Sequence, residues 1–130
     1  MTPVLVTIPS SHFCEMARWA LERARVGFRE EAHLPIFSDL ASLARGKKPG
    51  VPLLLTDGEK LRGSTQIMRW AEARGPKLWP EEPALAEQAS RWEERFDLAL
   101  GPATRRVAYA WLIDEKELSL SLFAGLVPRS

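Results

Sequence analysis

The residues that could do chemistry are concentrated in one turn near the N-terminus, Pro9-Ser10-Ser11-His12-Phe13-Cys14. An apolar segment precedes this turn and an amphipathic segment follows it, which predicts a strand, a tight turn and a helix. Unpaired backbone N–H groups and the helix dipole at such a helix start favour an anion, whether a thiolate, a carboxylate or a phosphate. Ser10, Ser11 and Cys14 are therefore the candidate catalytic residues.

Each of these side chains also has a plain structural interpretation. Ser11 could be only the N-cap of the helix, a role worth about 1 kcal/mol, and a register error of one residue would give its role to Ser10. Cys14 falls one turn into the helix beside the apolar face, which favours a small core residue over a reactive thiol. His12, His33 and Cys14 have no spacing typical of a zinc site, so we expect no metal.

The length, charge and composition of the chain limit what kind of protein it can be. The chain has 130 residues and a net charge of +1, without a concentrated basic block, so we expect no nucleic-acid partner. No apolar run approaches the length of a membrane span, and we expect no membrane partner. The single cysteine excludes an internal disulfide and is typical of the reducing cytoplasm.

The elements that must position the turn follow the order strand, helix, strand, helix, strand, strand, helix as far as about Arg74. Residues 4–8 are almost continuously apolar, which predicts a central strand. The next helix has an apolar stripe that starts at Phe13, and we expect Gly27 to end it. A second strand is expected over residues 28–34.

Caps and turns place the remaining elements of this part. Ser38 is expected to cap a short helix that Gly46 stops. Asp57-Gly58 is a turn signal between two paired strands. Ser64 or Thr65 is expected to cap the third helix. Together these elements predict one α/β domain.

A proline-rich connector at residues 76–83 is expected to separate this domain, residues 1–75, from an all-α region over residues 84–130. Pro83 lies near the first turn of the first helix of that region. Gly101-Pro102 is expected to interrupt the helix, and the segment after residue 116 has no clear pattern.

Three motifs, in this order, resemble the cytosolic glutathione S-transferases: Ser11-His12-Phe13-Cys14, Gly50-Val51-Pro52-Leu53 and Gly63-Ser64-Thr65-Gln66-Ile67. The resemblance extends over about residues 4–111. It implies a thioredoxin-like βαβ-ββα domain followed by a short all-α region. The helical domain of that family continues well past the length of this chain, so the resemblance covers only part of it.

The resemblance implies a set of residues that bind glutathione. The backbone N–H and C=O of Val51, before a Pro52 that the family holds in the cis form, would pair with the cysteinyl backbone of glutathione. Ser64 and Thr65 would hold the γ-glutamyl carboxylate at the start of the third helix, and Lys47 and Lys48 could reach the glycyl carboxylate. The remaining binding candidates, at the mouth of the site, are His12 and Phe13.

The same resemblance implies a reaction. The Ser11 hydroxyl would donate a hydrogen bond to the sulfur of glutathione and, with the helix dipole, lower the thiol pKa from about 8.5 toward neutrality. The thiolate would then attack a small electrophile, with glutathione as co-substrate and a homodimer as the usual assembly. Two alternatives stay open. One is a non-catalytic glutathione-binding or protein-interaction module, which is favoured by Gly63 because many family members have Glu, Gln or Asp at that position. The other is a glutathione-dependent thiol reductase that uses Cys14.

Overall fold

A four-stranded mixed sheet organises the N-terminal part of the chain. The computed structural model describes residues 1–126, apart from the side chains of Ile36 and Leu126, and the chain divides into two units, residues 1–78 and the residues from Trp79 onward. The elements of the first unit are β1 (Val4–Thr7), α1 (His12–Arg23), β2 (Arg29–Ala32), α2 (Pro35–Gly46), β3 (Leu53–Leu55), β4 (Lys60–Arg62) and α3 (Ser64–Glu72). The predicted thioredoxin-like order of elements is confirmed.

The strands lie in the order β2-β1-β3-β4, and β1 is parallel to β2 but antiparallel to β3. All four residues of β1 are buried, as its apolar run predicted for a central strand. Successive side chains of a strand point to opposite faces of the sheet. Leu54 therefore packs in the cluster with α1 and α3, whereas Leu53 lies against Gly46 at the end of α2.

The main hydrophobic core lies between the sheet and the pair α1 and α3. Small residues on α1 let that helix approach the sheet closely, while larger aliphatic side chains fill the space between the layers. Full burial of each Leu or Ile contributes about 1.5 to 3 kcal/mol relative to exposure. The buried members are Leu5, Ala17, Ala20, Leu21, Ala24, Leu54, Ile67 and Ala71.

The register of the sheet brings three segments of the chain to one end of it. Val6, near the end of β1, pairs with Leu53, the first residue of β3. Leu53 in turn pairs with Arg62, the last residue of β4. The turn before α1, the residues before β3 and the residues before α3 therefore all lie at the same end of the sheet.

Two of the predicted ends in the first half of this unit are wrong. α1 ends at Arg23 and not at Gly27, because Arg25 takes a left-handed conformation (φ 57°) and the Val26 N–H returns to the Leu21 carbonyl at 3.0 Å. The second strand is also shorter than predicted, since only Arg29–Ala32 pair with β1.

The predicted caps of α2 and α3 are wrong as well. α2 begins at Pro35, whose fixed φ suits the first position of a helix, and the buried Ser38 lies inside it with its hydroxyl donating to the Pro35 carbonyl at 2.6 Å. α3 begins at Ser64 with Gly63 as its N-cap residue (φ 82°). Neither Ser64 nor Thr65 therefore occupies the capping position.

From Pro83 onward, the described part of the second unit is almost entirely helical. It contains α4 (Pro83–Arg95), a π-helical turn (Phe96–Leu100), α5 (Gly101–Asp114), α6 (Lys116–Phe123) and a 3-10 turn (Ala124–Leu126). The predicted interruption at Gly101-Pro102 is confirmed as a break between two α-helices: a π-helical turn ends at Leu100, and α5 begins at Gly101 with Pro102 in its first turn. The last four residues of the predicted helical region lie outside the described residues. No helix of the described part is long and apolar enough to cross a membrane.

Candidate functional site

Ser11 is the N-cap residue of α1, with extended backbone angles (φ −80°, ψ 121°). Its Oγ accepts a hydrogen bond from the Cys14 N–H at 3.4 Å, which is long beside the usual 2.9 to 3.0 Å or so and therefore weak. The Ser11 hydroxyl also lies near the Cys14 thiol, whose pKa it lowers by hydrogen bonding. Ser11 is half-buried and Ser10 is exposed, so the Ser11 hydroxyl can donate to a ligand that reaches the start of α1.

Cys14 is fully buried on the inner face of α1 and is not in a disulfide. Its burial raises the pKa of the thiol, although hydrogen bonds from Ile8 and Ser11 and the positive charge of Arg18 act in the opposite direction. A thiol in such surroundings stays protonated and is a poor nucleophile.

A cavity of about 350 Å³ lies beside the start of α1. It brings together Ser10, Ser11 and His12 of the predicted site, and it adds an apolar wall. Phe13 is not among the lining residues; its ring lies against that of His12, with 4.1 Å between the ring centroids. The full lining consists of Pro9, Ser10, Ser11, His12, Glu15, Met16 and Trp19.

The segment before β3 lies at the same end of the sheet. The Val51–Pro52 peptide bond is cis. Among the described residues, no hydrogen bond engages the backbone N–H or C=O of Val51. The Pro52 carbonyl accepts from the Gly63 N–H at 2.9 Å, which ties this segment to the start of α3. The Lys48 side chain is exposed, while its carbonyl lies 3.1 Å from the Ser42 hydroxyl.

The start of α3 contains a buried hydroxyl without a partner. Ser64 is only 2% exposed, and no residue of the described chain forms a hydrogen bond with its Oγ. The first N–H groups of a helix have no acceptor within the helix, and the positive end of the helix dipole lies at the same place. Thr65, the next residue, already has an interaction partner. Ser64 therefore places a buried hydroxyl without a partner in the described chain at the positive end of this helix.

One polar residue at this end of the sheet, Arg62, was missed in the sequence. The Gln66 Oε1 accepts a hydrogen bond from the Arg62 N–H at 3.1 Å, and the Arg62 guanidinium reaches the loop before Val51. An arginine at the end of a short strand is usually an exposed residue, so its type gave no signal. The contacts depend on the pairing of β3 with β4, which only the structure defines.

The description "Glutathione S-transferase, N-terminal domain" belongs to the family model that matches residues 5–82, which is more than half of the chain. The comparison with curated proteins gives no match. In the part of the chain that the structure describes, no cluster of three His, Cys, Asp or Glu side chains could hold a metal ion.

Solved structures of similar fold have sequence identities too low to show more than the fold. A Tau class glutathione S-transferase from mango, Mangifera indica, is 20% identical with a TM-score of 0.67, and the match covers 94% of this chain but 60% of that one. A possible glutathione S-transferase from Rhodopseudomonas palustris is 22% identical with a TM-score of 0.70, over 95% and 67% of the two chains. A maleylacetoacetate isomerase from Anaeromyxobacter dehalogenans is 20% identical with a TM-score of 0.64, over 88% and 56%. On the family match and the fold together, the chain belongs to the glutathione S-transferase family.

Proposed function

We propose that this protein binds glutathione at the end of the sheet where α1, β3 and α3 begin, and that it activates the thiol for transfer to a small electrophile. The Ser64 hydroxyl carries this proposal. Buried hydroxyls in folded proteins normally have a hydrogen-bond partner, and an unpaired one costs about 1 to 3 kcal/mol. A ligand carboxylate at the N-terminus of α3 would supply that partner and would also meet the helix dipole.

The other parts of glutathione have partners of matching chemistry at this end of the sheet. The unengaged N–H and C=O of Val51 can pair with the cysteinyl backbone of the tripeptide as an added strand would. The exposed Lys48 is a candidate for the glycyl carboxylate. His12 and Phe13 would border the bound tripeptide, and Thr65 would contribute its backbone N–H next to Ser64.

The chemical step assigned to Ser11 is the stabilisation of a thiolate. Its hydroxyl donates a hydrogen bond to the glutathione sulfur, and the start of α1 adds favourable electrostatics. The thiol proton passes to solvent, the sulfur forms a bond to an electrophilic carbon, and the leaving group departs with its electron pair. The electrophile would occupy the cavity beside α1, against Met16 and Trp19.

The burial of Cys14 makes the reductase alternative weaker than the transferase. Such a reductase needs an accessible thiolate to attack a disulfide, and burial raises the pKa of this thiol. A glutathione-binding module without catalysis stays as the second candidate, because Gly63 brings no carboxylate or amide next to the ligand amine.

Retention on immobilised glutathione, together with a conjugation assay with a chloronitrobenzene, separates these functions. Ser11→Ala is expected to keep retention and to lose most turnover, whereas its neighbour Ser10→Ala serves as the matched control and stays active. Cys14→Ser distinguishes the reductase, because only that function depends on the thiol. If the wild type is retained but shows no turnover, the result supports the glutathione-binding module without catalysis. A wild type that is not retained would refute the proposed function.

We also propose, from the family resemblance, that the protein acts as a homodimer in the cytoplasm. The single buried cysteine suits a reducing compartment, where glutathione is abundant in its thiol form. Light scattering after size-exclusion chromatography measures the assembly, and a molar mass of one chain would contradict the dimer. Fractionation of cells tests the compartment.

A further inference from the structure

The Arg62 side chain reaches from the end of β4 to the loop that leads to Val51. Its Nη1 lies 2.9 Å from the Pro49 carbonyl oxygen and 2.6 Å from the Gly50 carbonyl oxygen. It also lies 2.7 Å from the Ser42 hydroxyl. One guanidinium thus contacts two consecutive carbonyls immediately before Val51.

We propose that Arg62 is a positioning residue of the glutathione site: it holds residues 49–50 so that the backbone N–H and C=O of Val51 face the ligand. This role rests on the proposed function, because Val51 matters only if glutathione binds beside it. Arg62 itself would not touch glutathione. It acts through the loop.

Two residues of α2 also contact the same loop. The fully buried Ser42 hydroxyl lies 2.7 Å from the Gly50 carbonyl and 3.1 Å from the Lys48 carbonyl. The Asp39 carboxylate accepts from the Gly50 N–H at 3.1 Å. Gly50 has a φ of 107°, a conformation that only glycine adopts easily. Because glycine permits many backbone conformations, the contacts from α2 and β4 are what restrict the loop to this one.

Gly46 leaves room for the Arg62 guanidinium. A Cβ added at Gly46, the last residue of α2, would overlap Nη2 of Arg62, so the absence of a side chain there makes room for it. In the described part of the chain Arg62 forms no ion pair with a carboxylate. Its side-chain acceptors are all neutral, and most of them belong to the loop.

Arg62 also connects the loop with the start of α3. Its own N–H donates to the Gln66 Oε1, and the N–H of the next residue, Gly63, donates to the Pro52 carbonyl at 2.9 Å. The segments on which the cysteinyl and γ-glutamyl parts of glutathione would lie are therefore held by one short stretch of backbone and one side chain.

The size of the effect follows from the fraction of molecules whose loop is competent to bind. An ordered loop does not lose that conformational freedom again when the ligand binds. If the loss of Arg62 leaves the loop competent in about a tenth of the molecules, the apparent Kd for glutathione rises about tenfold. Turnover at saturating glutathione changes little, because the ligand selects the competent loop.

The test compares Arg62→Met with Lys60→Met in the full chain. Lys60 is the matched control: it is a cation on the same strand that donates to the Arg45 carbonyl at the end of α2 but does not reach the loop. Titration calorimetry with glutathione is expected to give a Kd about tenfold higher for Arg62→Met and close to the wild type for Lys60→Met. Amide hydrogen exchange at residues 50 and 51 is expected to be faster only in Arg62→Met. KM for glutathione should rise with kcat nearly unchanged.

Arg62→Lys provides a second variant should Arg62→Met fail to fold. Its ammonium can replace some of the contacts, so we expect a Kd between those of the wild type and Arg62→Met. If the wild type binds glutathione and either Arg62→Lys or Arg62→Met binds it equally well, the positioning role of Arg62 is overturned. The proposed function would still stand. A raised Kd with unchanged exchange at residues 50 and 51 would overturn it too. If the wild type itself does not bind, the proposed function fails first and this role falls with it.

Discussion

Ser64→Ala is expected to stabilise the free protein and to weaken glutathione binding. The wild-type hydroxyl is buried and unpaired among the described residues. A buried hydroxyl without a partner costs about 1 to 3 kcal/mol, and alanine is the better helix former by a few tenths of a kcal/mol or so. We therefore expect the free energy of unfolding to rise by about 1 kcal/mol, toward the low end of that range.

The melting temperature gives the first measurement. For a chain of 130 residues, 1 kcal/mol corresponds to a shift of about 4 °C, so Ser64→Ala should melt about 4 °C higher without ligand. A hydrogen bond to a charged carboxylate contributes about 1.5 to 3 kcal/mol, so the Kd of the variant for glutathione should be at least about tenfold higher.

Added glutathione should then cancel the advantage of the variant. At a concentration of about 100 times the wild-type Kd, the ligand stabilises the wild type by about 2.7 kcal/mol. With a Kd about tenfold higher, Ser64→Ala gains only about 1.4 kcal/mol at the same concentration. The two melting temperatures should therefore nearly coincide, although they differ by about 4 °C without ligand.

Ser38→Ala is the matched control, since the same substitution removes an equally buried hydroxyl that has a partner. The Ser38 hydroxyl donates to the Pro35 carbonyl, so its loss should destabilise the protein by about 1 kcal/mol. Thermal unfolding and titration calorimetry on both variants decide the matter. A Ser64→Ala variant that is less stable than the wild type and binds glutathione equally well would contradict the role of Ser64 in glutathione binding.

Three further substitutions have defined outcomes. Burial raises the pKa of the Cys14 thiol in the folded protein, so the unfolded chain loses this proton first as the pH rises. The wild type should therefore lose stability relative to Cys14→Ala above about pH 8.5. Parallel curves of stability against pH for the two proteins would contradict this. Trp19 is 64% exposed, so Trp19→Ala should leave stability within about 0.5 kcal/mol. It should lower kcat/KM for an aromatic electrophile about eightfold, if the electrophile covers about 50 Å² of the indole. An unchanged kcat/KM would show that the electrophile does not bind against Trp19. Gly46→Ala should displace the Arg62 guanidinium and raise the Kd for glutathione as Arg62→Met does. This is expected although alanine favours the helix by about 1 kcal/mol. An unchanged Kd would show that glutathione binding does not depend on this position of the guanidinium.

The fold was predictable because its signals are local and repeated. The apolar run of β1, the stripe on α1 and the turn at Asp57-Gly58 each indicate an element, and their order then permits few topologies. The cap predictions at Ser38 and Ser64 failed because Pro35 and Gly63 stand nearby and define the helix starts by backbone conformation. A serine is a good N-cap, but it does not become one when a better-placed residue precedes it.

The roles of the serines show what the sequence leaves undetermined. Ser38, Ser42 and Ser64 are all buried residues of helices. The Ser38 and Ser42 hydroxyls lie within hydrogen-bond distance of backbone carbonyls, whereas the Ser64 hydroxyl has no partner among the described residues. That difference depends on which loop packs against each helix, a long-range contact that no local pattern encodes. Arg62 was missed for the same reason, because its partners at residues 49 and 50 are more than ten positions away in the chain.

The candidate site is made mostly of backbone, which explains why residue types indicate it so weakly. Val51 contributes an N–H and a C=O that every residue except proline possesses, and the start of α3 contributes N–H groups of the same kind. The Val51 groups have no hydrogen-bond partner among the described residues. The backbone near them has positive φ angles at Gly50 and Gly63, and Arg62 contacts the carbonyls of residues 49–50. A substitution at a position that fixes the backbone can therefore impair binding as much as one at a position that touches the ligand.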